Sequence, residues 1–236
     1  MIAMIVMTNL VEEPSFRNML HVFRDRRDAG KRLASKLSSY KGKECMVLGI
    51  PSGGVPVSLE VARRLRAEHD VIIVKKIQLP CNTGAGFGAV GPGGDVFLNE
   101  FLLDHMNLTR KEIEDEIGKA MATIKSRERL LRGNRPFPSL RDRTVIVADD
   151  GLASGYTMLS AIEFLKRCSP ARIIVAVPTA SLRVVELISP RVNELVCLNV
   201  RTGPFFAVAD AYRRWRVFDD DEVLGMLEDF RKERMR

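Results

Sequence analysis

The stretch VIVADDGLASGYTM, residues 145–158, decides the fold of this chain. Four β-prone residues, 145–148, lead directly into two adjacent carboxylates, Asp149 and Asp150. Small and hydroxylated residues follow, and then an apolar-periodic segment, so the order predicts a strand, an acidic turn, a loop and a helix. Because the strand is almost wholly apolar, we expect it to be buried in a parallel sheet, and open α/β sheets bind ligands at the carboxyl ends of their strands.

The loop after these acids, here called the anion loop (residues 151–157), has the composition of an anion site. It includes Gly151, Ala153, Ser154, Gly155, Tyr156 and Thr157. At the start of a helix, unpaired N–H groups and the helix dipole favour an anion, and hydroxyl groups add donors. An ordinary β–α turn with one capping Asp is the alternative, but it explains neither the second carboxylate nor the run of small residues.

Two acids beside an anion site predict a ligand with two chemically different ends, such as a sugar phosphate. In this respect the stretch resembles the phosphoribosyl pyrophosphate (PRPP) signature of type I phosphoribosyltransferases, in which two acids precede a small, Gly- and Ser/Thr-rich loop. The resemblance implies that Asp149 and Asp150 are catalytic and hold the ribose hydroxyls. It implies that they contact Mg²⁺ indirectly, through those hydroxyls or water, and that the anion loop binds the 5′-phosphate.

A second turn is predicted at the same edge of the sheet. Residues 46–50 predict a buried strand and residues 55–65 a helix, so the turn between them contains Ser52, Gly53 and Gly54. Two glycines can expose backbone N–H groups to an anion, and we expect a positive φ at Gly54. In the resembled family this turn binds pyrophosphate, often with an unusual peptide geometry. A tight turn without a ligand is the alternative.

Two lysines follow the short apolar run VIIV. We expect a third strand over residues 71–74, which would bring Lys75 and Lys76 to the same edge. Compact ammonium groups suit phosphate oxygens, and in the resembled family a basic pair at this position contacts PRPP. For either lysine alone, solvation at a strand end is an equal alternative.

A glycine-rich run, residues 78–100, comes next. It opens no helix, which excludes a dinucleotide-binding fingerprint. Its segments GFGAV (86–90) and DVFLN (95–99) predict a β-hairpin that folds over the site as a lid. Cys81 lies at the base of this hairpin without a neighbouring His, so we assign it no catalytic role.

Residues 23–40 predict an amphipathic helix that covers the sheet. Its apolar side chains recur at helical spacing, and its basic side chains are interpreted as a solvated face. The apolar residues are Phe23, Ala29, Leu33 and Leu37, and the basic residues are Arg24, Arg26, Arg27, Lys31 and Arg32. No aromatic residues interleave with the basic ones, which argues against a nucleic-acid interface here.

A longer charged helix is predicted to begin at Thr109, which forms a capping box with Glu112. Three arginines, Arg127, Arg129 and Arg132, lie near its end. The resemblance places a mobile catalytic loop before the PRPP strand, so one of these arginines is a candidate to close on pyrophosphate. For any single one, a solvated helix end stabilised by the helix dipole is the favoured alternative.

Further strands at residues 172–177 and 194–200 alternate with helices. The fold class is therefore α/β, with a mostly parallel twisted sheet flanked by helices and a hairpin lid. The resemblance to type I phosphoribosyltransferases implies a small hood as well. We assign residues 1–22 to an N-terminal extension and 23–236 to a single domain, whose tail forms the hood (residues 204–223). The hood aromatics are Phe205, Phe206, Tyr212 and Trp215. Phe205 and Phe206 are candidates for base stacking, and core packing is expected for at least two of the four.

Length and composition restrict the function classes. A chain of 236 residues that is 46% hydrophobic and 28% charged can form a globular protein with a sizeable core. Its apolar start is short and lacks a basic leader, so neither a signal peptide nor a membrane span is expected. Four scattered cysteines predict reduced thiols and a cytoplasmic protein. The net charge of +7 suits an anionic partner, either a polyphosphate or a nucleic acid.

Over residues 23–222 the chain resembles a bacterial and archaeal group of predicted phosphoribosyltransferases of unassigned substrate. The resembling stretches are FRDRRDAG (23–30), PSGGVPV (51–57), KKIQLPCNTGAGFGAV (75–90), DDGLASGYT (149–157) and PFFAV (204–208). Ser52 stands where the group has Arg, which removes a cation from the pyrophosphate turn. Thr83-Gly84 replaces Pro-Glu, and Ser154 replaces a Thr while keeping its hydroxyl.

The resemblance implies Mg²⁺-dependent transfer of a phosphoribosyl group from PRPP to a nitrogen nucleophile, a nucleobase, with release of pyrophosphate. We expect a homo-oligomer that acts in nucleotide salvage. The first alternative is a non-catalytic PRPP- or nucleotide-sensing regulator that binds nucleic acid, for which Ser52 and the positive charge argue. The second is hydrolysis of a phosphorylated sugar without a base acceptor.

Overall fold

The main sheet consists of six strands: β1 Leu10–Val11, β2 Cys45–Gly49, β3 Glu68–Val71, β7 Thr144–Ala148, β8 Arg172–Ser181 and β9 Glu194–Arg201. These bounds come from a computed structural model that describes residues 9–80, 82–98, 103–133 and 135–235. All neighbouring strands are parallel, in the order β1-β9-β8-β7-β2-β3. The predicted α/β class with a parallel sheet is therefore confirmed.

In the part of the chain that the structure describes, the helices that flank the sheets are α1 Arg26–Lys36, α2 Gly54–Leu65, α3 Arg110–Arg132, α4 Tyr156–Arg167, α5 Leu182–Ile188 and α6 Asp220–Arg234. Two hydrophobic cores form, with α1, α2, α3 and α6 contributing to one and α4 and α5 to the other. Because successive strand residues point to opposite faces, Val47 packs into the first core and Leu48 into the second. Burial on both faces explains why these strands are apolar throughout; each fully buried aliphatic side chain contributes about 1.5–3 kcal/mol.

A second, antiparallel sheet contains β4 Lys75–Leu79, β5 Asn82–Val90 and β6 Val96–Leu98. The β5–β6 pair is the predicted hairpin, and the sheet packs against α3 and α4. The predicted strand over residues 71–74 is wrong, because β3 ends at Val71 and the two lysines open β4. Ile72 and Ile73 are apolar because they are buried in the two different cores, as a connector between the sheets.

The predicted helix over residues 23–40 is shorter than expected. It begins at Arg26, after the Asp25 side chain accepts a hydrogen bond from the Asp28 N–H. Phe23 is buried, as predicted, but it lies before the helix and forms a bridge with Tyr212. The capping box of Thr109 and Glu112 is confirmed at the start of α3.

The described part of the predicted N-terminal extension joins the main sheet, where Leu10 and Val11 lie beside β9 as the edge strand. Among the cysteines, Cys45 and Cys197 are buried and Cys168 is half-buried, all as free thiols, whereas Cys81 lies outside the described residues. Within those residues, no helix has both the length and the apolar character needed to cross a bilayer.

Candidate functional site

The acidic pair, Asp149 and Asp150, lies at the carboxyl end of β7, as predicted. The backbone N–H of Asp150 donates to Asp149 Oδ1 at 2.8 Å, which orients the Asp149 carboxyl group. The turn after β2 is pressed against them. A Cβ atom at Gly53 would lie 1.9 Å from Asp150 Oδ2, and one at Gly54 would lie 2.7 Å from Ala148 O. The two predicted turns therefore meet at one edge of the sheet.

The positive φ predicted at Gly54 is wrong. The glycines of the described chain with positive φ lie elsewhere, and Gly54 is the first residue of α2. Glycine is required at positions 53 and 54 because the backbone approaches the acidic pair too closely for any side chain. The sequence correctly indicated that this turn requires glycine, but the requirement comes from lack of space for a side chain rather than from a positive φ.

Arg26 is a residue of this site that the sequence reasoning placed on a solvated face. Its side chain is only 6% exposed, and its Nε donates to Asp150 Oδ2 at 2.7 Å. Its guanidinium carbon lies 3.8 Å from the centroid of the Trp215 ring, and Nη1 donates to the Arg216 carbonyl oxygen. The first turn of α1 carries this cation inward to a carboxylate, so the solvated interpretation is wrong for Arg26. Its place in the FRDR motif was the available signal.

The electrostatics of the acidic pair differ between its members. Burial raises the pKa of Asp149, and the neighbouring Asp150 carboxylate raises it further. Burial also raises the pKa of Asp150, although the Arg26 guanidinium opposes that shift. One cation therefore faces two acids, and the ionised pair has a surplus of negative charge that a cationic group could relieve.

The anion loop connects the acidic pair to α4. Gly155 has a φ of 78° and precedes the helix without a side-chain cap, so the first turn of α4 keeps unpaired N–H groups. A Cβ atom there would lie 2.8 Å from Val184 Cγ1, so both backbone conformation and space require glycine. Ser154 and Tyr156 are exposed and Thr157 is half-buried.

A cavity of about 270 Å³ joins the acidic pair to this loop. It is lined by both acids, residues 151–155 and 157–158, Val208 and Trp215. Tyr156 faces a different groove, which it shares with Lys76 and Phe97. The cavity contains both chemistries that the sequence predicted for one ligand, carboxylates and a helix amino terminus.

A second group of charges lies beside Ser52. Arg127, on α3, donates from Nη2 to Ser52 Oγ at 2.9 Å and forms an ion pair with Asp220, the first residue of α6. The Pro51–Ser52 peptide bond is cis. The prediction of a fully solvated side chain at the helix end is therefore wrong for Arg127. It is also wrong for Arg132, which is buried and paired with Asp70, whereas Arg129 is exposed.

The other candidates do not line the cavity that contains the acidic pair. Lys75 and Lys76 begin β4, and the Lys76 side chain packs over Gly86, where a Cβ would lie 2.5 Å from Lys76 Cγ. Phe205 is 87% exposed and Phe206 is half-buried. The ligand-binding roles of these four residues stay predictions.

Two other hood aromatics lie next to the site. Tyr212 is buried and its hydroxyl donates to the Asp150 carbonyl oxygen at 2.6 Å. Trp215, 40% exposed, forms part of the cavity wall. The sequence identified the hood as a place for base stacking, but the aromatic ring that reaches the cavity belongs to Trp215.

The described residues contain no cluster of three or more His, Cys, Asp or Glu side chains that could enclose a metal ion. Asp149 and Asp150 supply two carboxylates, and one of them is engaged by Arg26. This donor set fits Mg²⁺ that is held mainly by substrate oxygens and water, since Mg²⁺ commonly keeps its waters and needs only one or two protein carboxylates.

Comparison with known proteins gives the family. Residues 20–186 match the Phosphoribosyl transferase domain family. Two Mycobacterium tuberculosis proteins, from strains CDC 1551 / Oshkosh and H37Rv, have names that assign them provisionally as phosphoribosyl transferases. Each is 35% identical over 210 residues, which are 89% of this chain and 47% of the relative, so the chain spans about half their length. The crystal structure of TT1426 from Thermus thermophilus matches with a TM-score of 0.77 and 36% identity, over 88% of this chain and 98% of that one. The chain therefore belongs to the type I phosphoribosyltransferase family.

Proposed function

We propose that this protein transfers a phosphoribosyl group from PRPP to a nitrogen nucleophile, a nucleobase, and releases pyrophosphate. The observation that carries the proposal is the shared cavity: the acidic pair and the anion loop face one space. Carboxylates suit ribose hydroxyls, and the start of α4 suits the 5′-phosphate. Family membership supports the same reaction type.

In the reaction, the bond from C1′ of the ribose to the pyrophosphate oxygen breaks, and its electron pair leaves with pyrophosphate. The acceptor nitrogen supplies the pair that forms the new C1′–N bond, and its proton passes to solvent. The ring carries positive charge in an oxocarbenium-like transition state. Once ionised, Asp149 and Asp150 would stabilise that charge, because Arg26 pairs with only one of the two carboxylates.

The proposal includes Mg²⁺, which would bind together with the substrate. When bound, Mg²⁺ would neutralise charge on the pyrophosphate oxygens. Asp149 and Asp150 would hold it through water or ribose hydroxyls, in keeping with a donor set of two carboxylates. The turn of Ser52, Gly53 and Gly54, together with Lys75 and Lys76, would bind the diphosphate.

The acceptor is proposed to be a planar base. Trp215 lines the cavity and offers an aromatic face, and Phe205 and Phe206 are the hood residues predicted to stack. Aromatic side chains stack on any base, so these contacts favour a class of acceptor rather than one member of it.

Pyrophosphate release from PRPP and Mg²⁺, measured with purines, with pyrimidines and without an acceptor, tests the proposal. Release that requires a base, with formation of the nucleotide, would support it. Release without an acceptor would indicate hydrolysis instead. Binding of PRPP without release would favour the non-catalytic regulator.

Replacing both acids, Asp149→Asn with Asp150→Asn, should lower turnover by roughly 10³-fold or more, since groups that stabilise transition-state charge have effects of this size. The matched control is Asp115→Asn, because Asp115 is exposed on α3. Circular dichroism should show that the variants are folded. Undiminished turnover in the folded double variant would refute the role assigned to the acidic pair.

A further inference from the structure

Arg127 brings a positive charge to the Ser52 turn from a distant part of the chain. Its Nη2 atom donates to Ser52 Oγ at 2.9 Å across 75 residues of sequence. Ser52 precedes Gly53, whose backbone lies against the Asp150 carboxylate. The guanidinium therefore stands at the rim of the acidic pair, on the side of β2.

The orientation of Arg127 is set by Asp220. Arg127 Nε donates to Asp220 Oδ2 at 3.1 Å, and Nη2 lies 2.5 Å from Oδ1. The two side chains are 24% and 34% exposed, and a pair this open to solvent contributes little to stability. Its main physical effect is to hold the plane of the guanidinium in one direction. The Nη1 group donates to none of the residues that the structure describes.

Arg132, one and a half turns further along α3, shows what a purely structural arginine looks like here. Its side chain is 5% exposed, and Asp70 together with the Pro136 carbonyl oxygen accepts its hydrogen bonds. Arg127 differs in being partly open to solvent, in facing a hydroxyl of the turn and in having an Nη1 group that donates to no described residue. Such a planar fork matches the oxygens of a phosphate group.

We propose that Arg127 binds the diphosphate end of PRPP and the pyrophosphate product, and that Asp220 is its positioning residue. This inference rests on the proposed function and deepens it. The ligand would span the acidic pair, with its monophosphate on the anion loop and its diphosphate bound by the Ser52 turn and by Nη1 of Arg127 beside it. The turn has no cationic side chain at position 52, where Ser52 stands. Arg127 of α3 supplies that positive charge instead.

Calorimetric titration with pyrophosphate and Mg²⁺ tests the assignment. For Arg127→Gln we expect Kd to rise roughly 10- to 100-fold, the loss expected for charge-assisted hydrogen bonds. Arg127→Lys, which keeps the charge but not the fork, should show a smaller rise, as should Asp220→Asn. Arg110→Gln is the matched control, because Arg110 lies on the same helix and forms an exposed ion pair with Glu114.

A rescue variant separates ligand binding from a structural role. Ser52→Arg in the Arg127→Gln background restores a cation at the turn and should recover most of the affinity, which a structural link between α3 and α6 would not. The KM for PRPP should follow the same order, with a smaller change in kcat. Arg127→Gln with an unchanged Kd would overturn the inference.

The outcomes also separate this inference from the proposed function. If the unmodified protein turns over PRPP but Arg127→Gln and Arg127→Lys keep its Kd and KM, only the inference fails. If the unmodified protein binds pyrophosphate through Arg127 but never turns over PRPP, the proposed transfer fails and the anion site stands. If it binds no pyrophosphate, the inference is lost, and PRPP turnover then decides the proposed function by itself.

Discussion

The two sides of the acidic pair are built in different ways. On one side, the anion loop follows Asp149 and Asp150 directly, and residues 149–155, 157 and 158 line most of the cavity. On the other side, Arg26, the Ser52 turn, Arg127 and Asp220 come from α1, the β2–α2 connection, α3 and α6. The first side is encoded by order along the chain, and the second by the packing of four distant segments.

The two sides also differ in what their polar groups contribute. Those of the anion loop are available for ligand binding, whereas those of the opposite side already pair within the folded protein. The anion loop keeps unpaired N–H groups, and the described contacts include no ion pair within it. These N–H groups can therefore donate hydrogen bonds to an anionic ligand. The opposite side already holds its charges in pairs, and Arg26–Asp150 is almost fully buried. We therefore expect changes to the loop hydroxyls of Ser154 and Thr157 to affect mainly ligand binding, and changes at Arg26 to affect the folded state.

The largest effect on stability is expected for Arg26→Met. Removing one member of a buried ion pair leaves an uncompensated charge, and here also removes the contact with Trp215, so unfolding should become easier by about 3 kcal/mol. Urea denaturation measures this free energy. The matched control is Arg27→Met, since Arg27 is exposed on the same helix turn and should change stability by no more than about 0.5 kcal/mol. Equal effects of the two variants would contradict the buried role of Arg26.

Alanine at Gly53 and at Gly155 compares the two sides directly. Each should destabilise the protein by about 1–3 kcal/mol, measured by urea denaturation. At Gly53 the cause is collision with Asp150 Oδ2, and the φ of −64° is ordinary. At Gly155 the cause is partly the φ of 78° itself, which alanine adopts poorly.

A second substitution, at the residue that the new Cβ atom would contact, distinguishes steric collision from backbone strain. Truncating the neighbour, Asp150→Ala, should remove most of the cost of Gly53→Ala, so the double variant is less destabilised than the sum of the singles. Truncating Val184→Ala should relieve only part of the cost of Gly155→Ala, because the backbone penalty persists. Simple additivity at the Gly53–Asp150 pair would mean that the close approach there does not limit the side chain.

The smallest effect is expected for Asp149→Asn. Burial and Asp150 raise the pKa of Asp149, so the folded state favours its protonated form. Stability from such a group is present at low pH and is lost as pH rises through the folded pKa. The amide does not ionise, so this variant should gain a few degrees in Tm at pH 8 and much less at pH 4. A gain that grows as the pH falls would contradict this sign.

Much of the fold could be predicted from the sequence because the patterns that indicate it lie within short stretches of the chain. Buried strands are apolar throughout, Thr109 and Glu112 form a capping box, and the acids precede a small-residue loop. The errors arose where one signal has two causes. Ile72 and Ile73 are apolar because they connect two sheets through the core, and glycine at position 54 reflects close packing rather than a positive φ.

The sequence by itself determined the acidic pair, the anion loop and the family, since neighbours along the chain stay neighbours in space when a strand runs into a helix. Tertiary structure alone decided that Arg26 neutralises Asp150 and that Arg127 faces Ser52. Both arginines sit on charged amphipathic helices, where composition predicts solvent. Whether such a side chain meets water or a carboxylate depends on which helix face packs against the sheet edge, and that is a property of the assembled core.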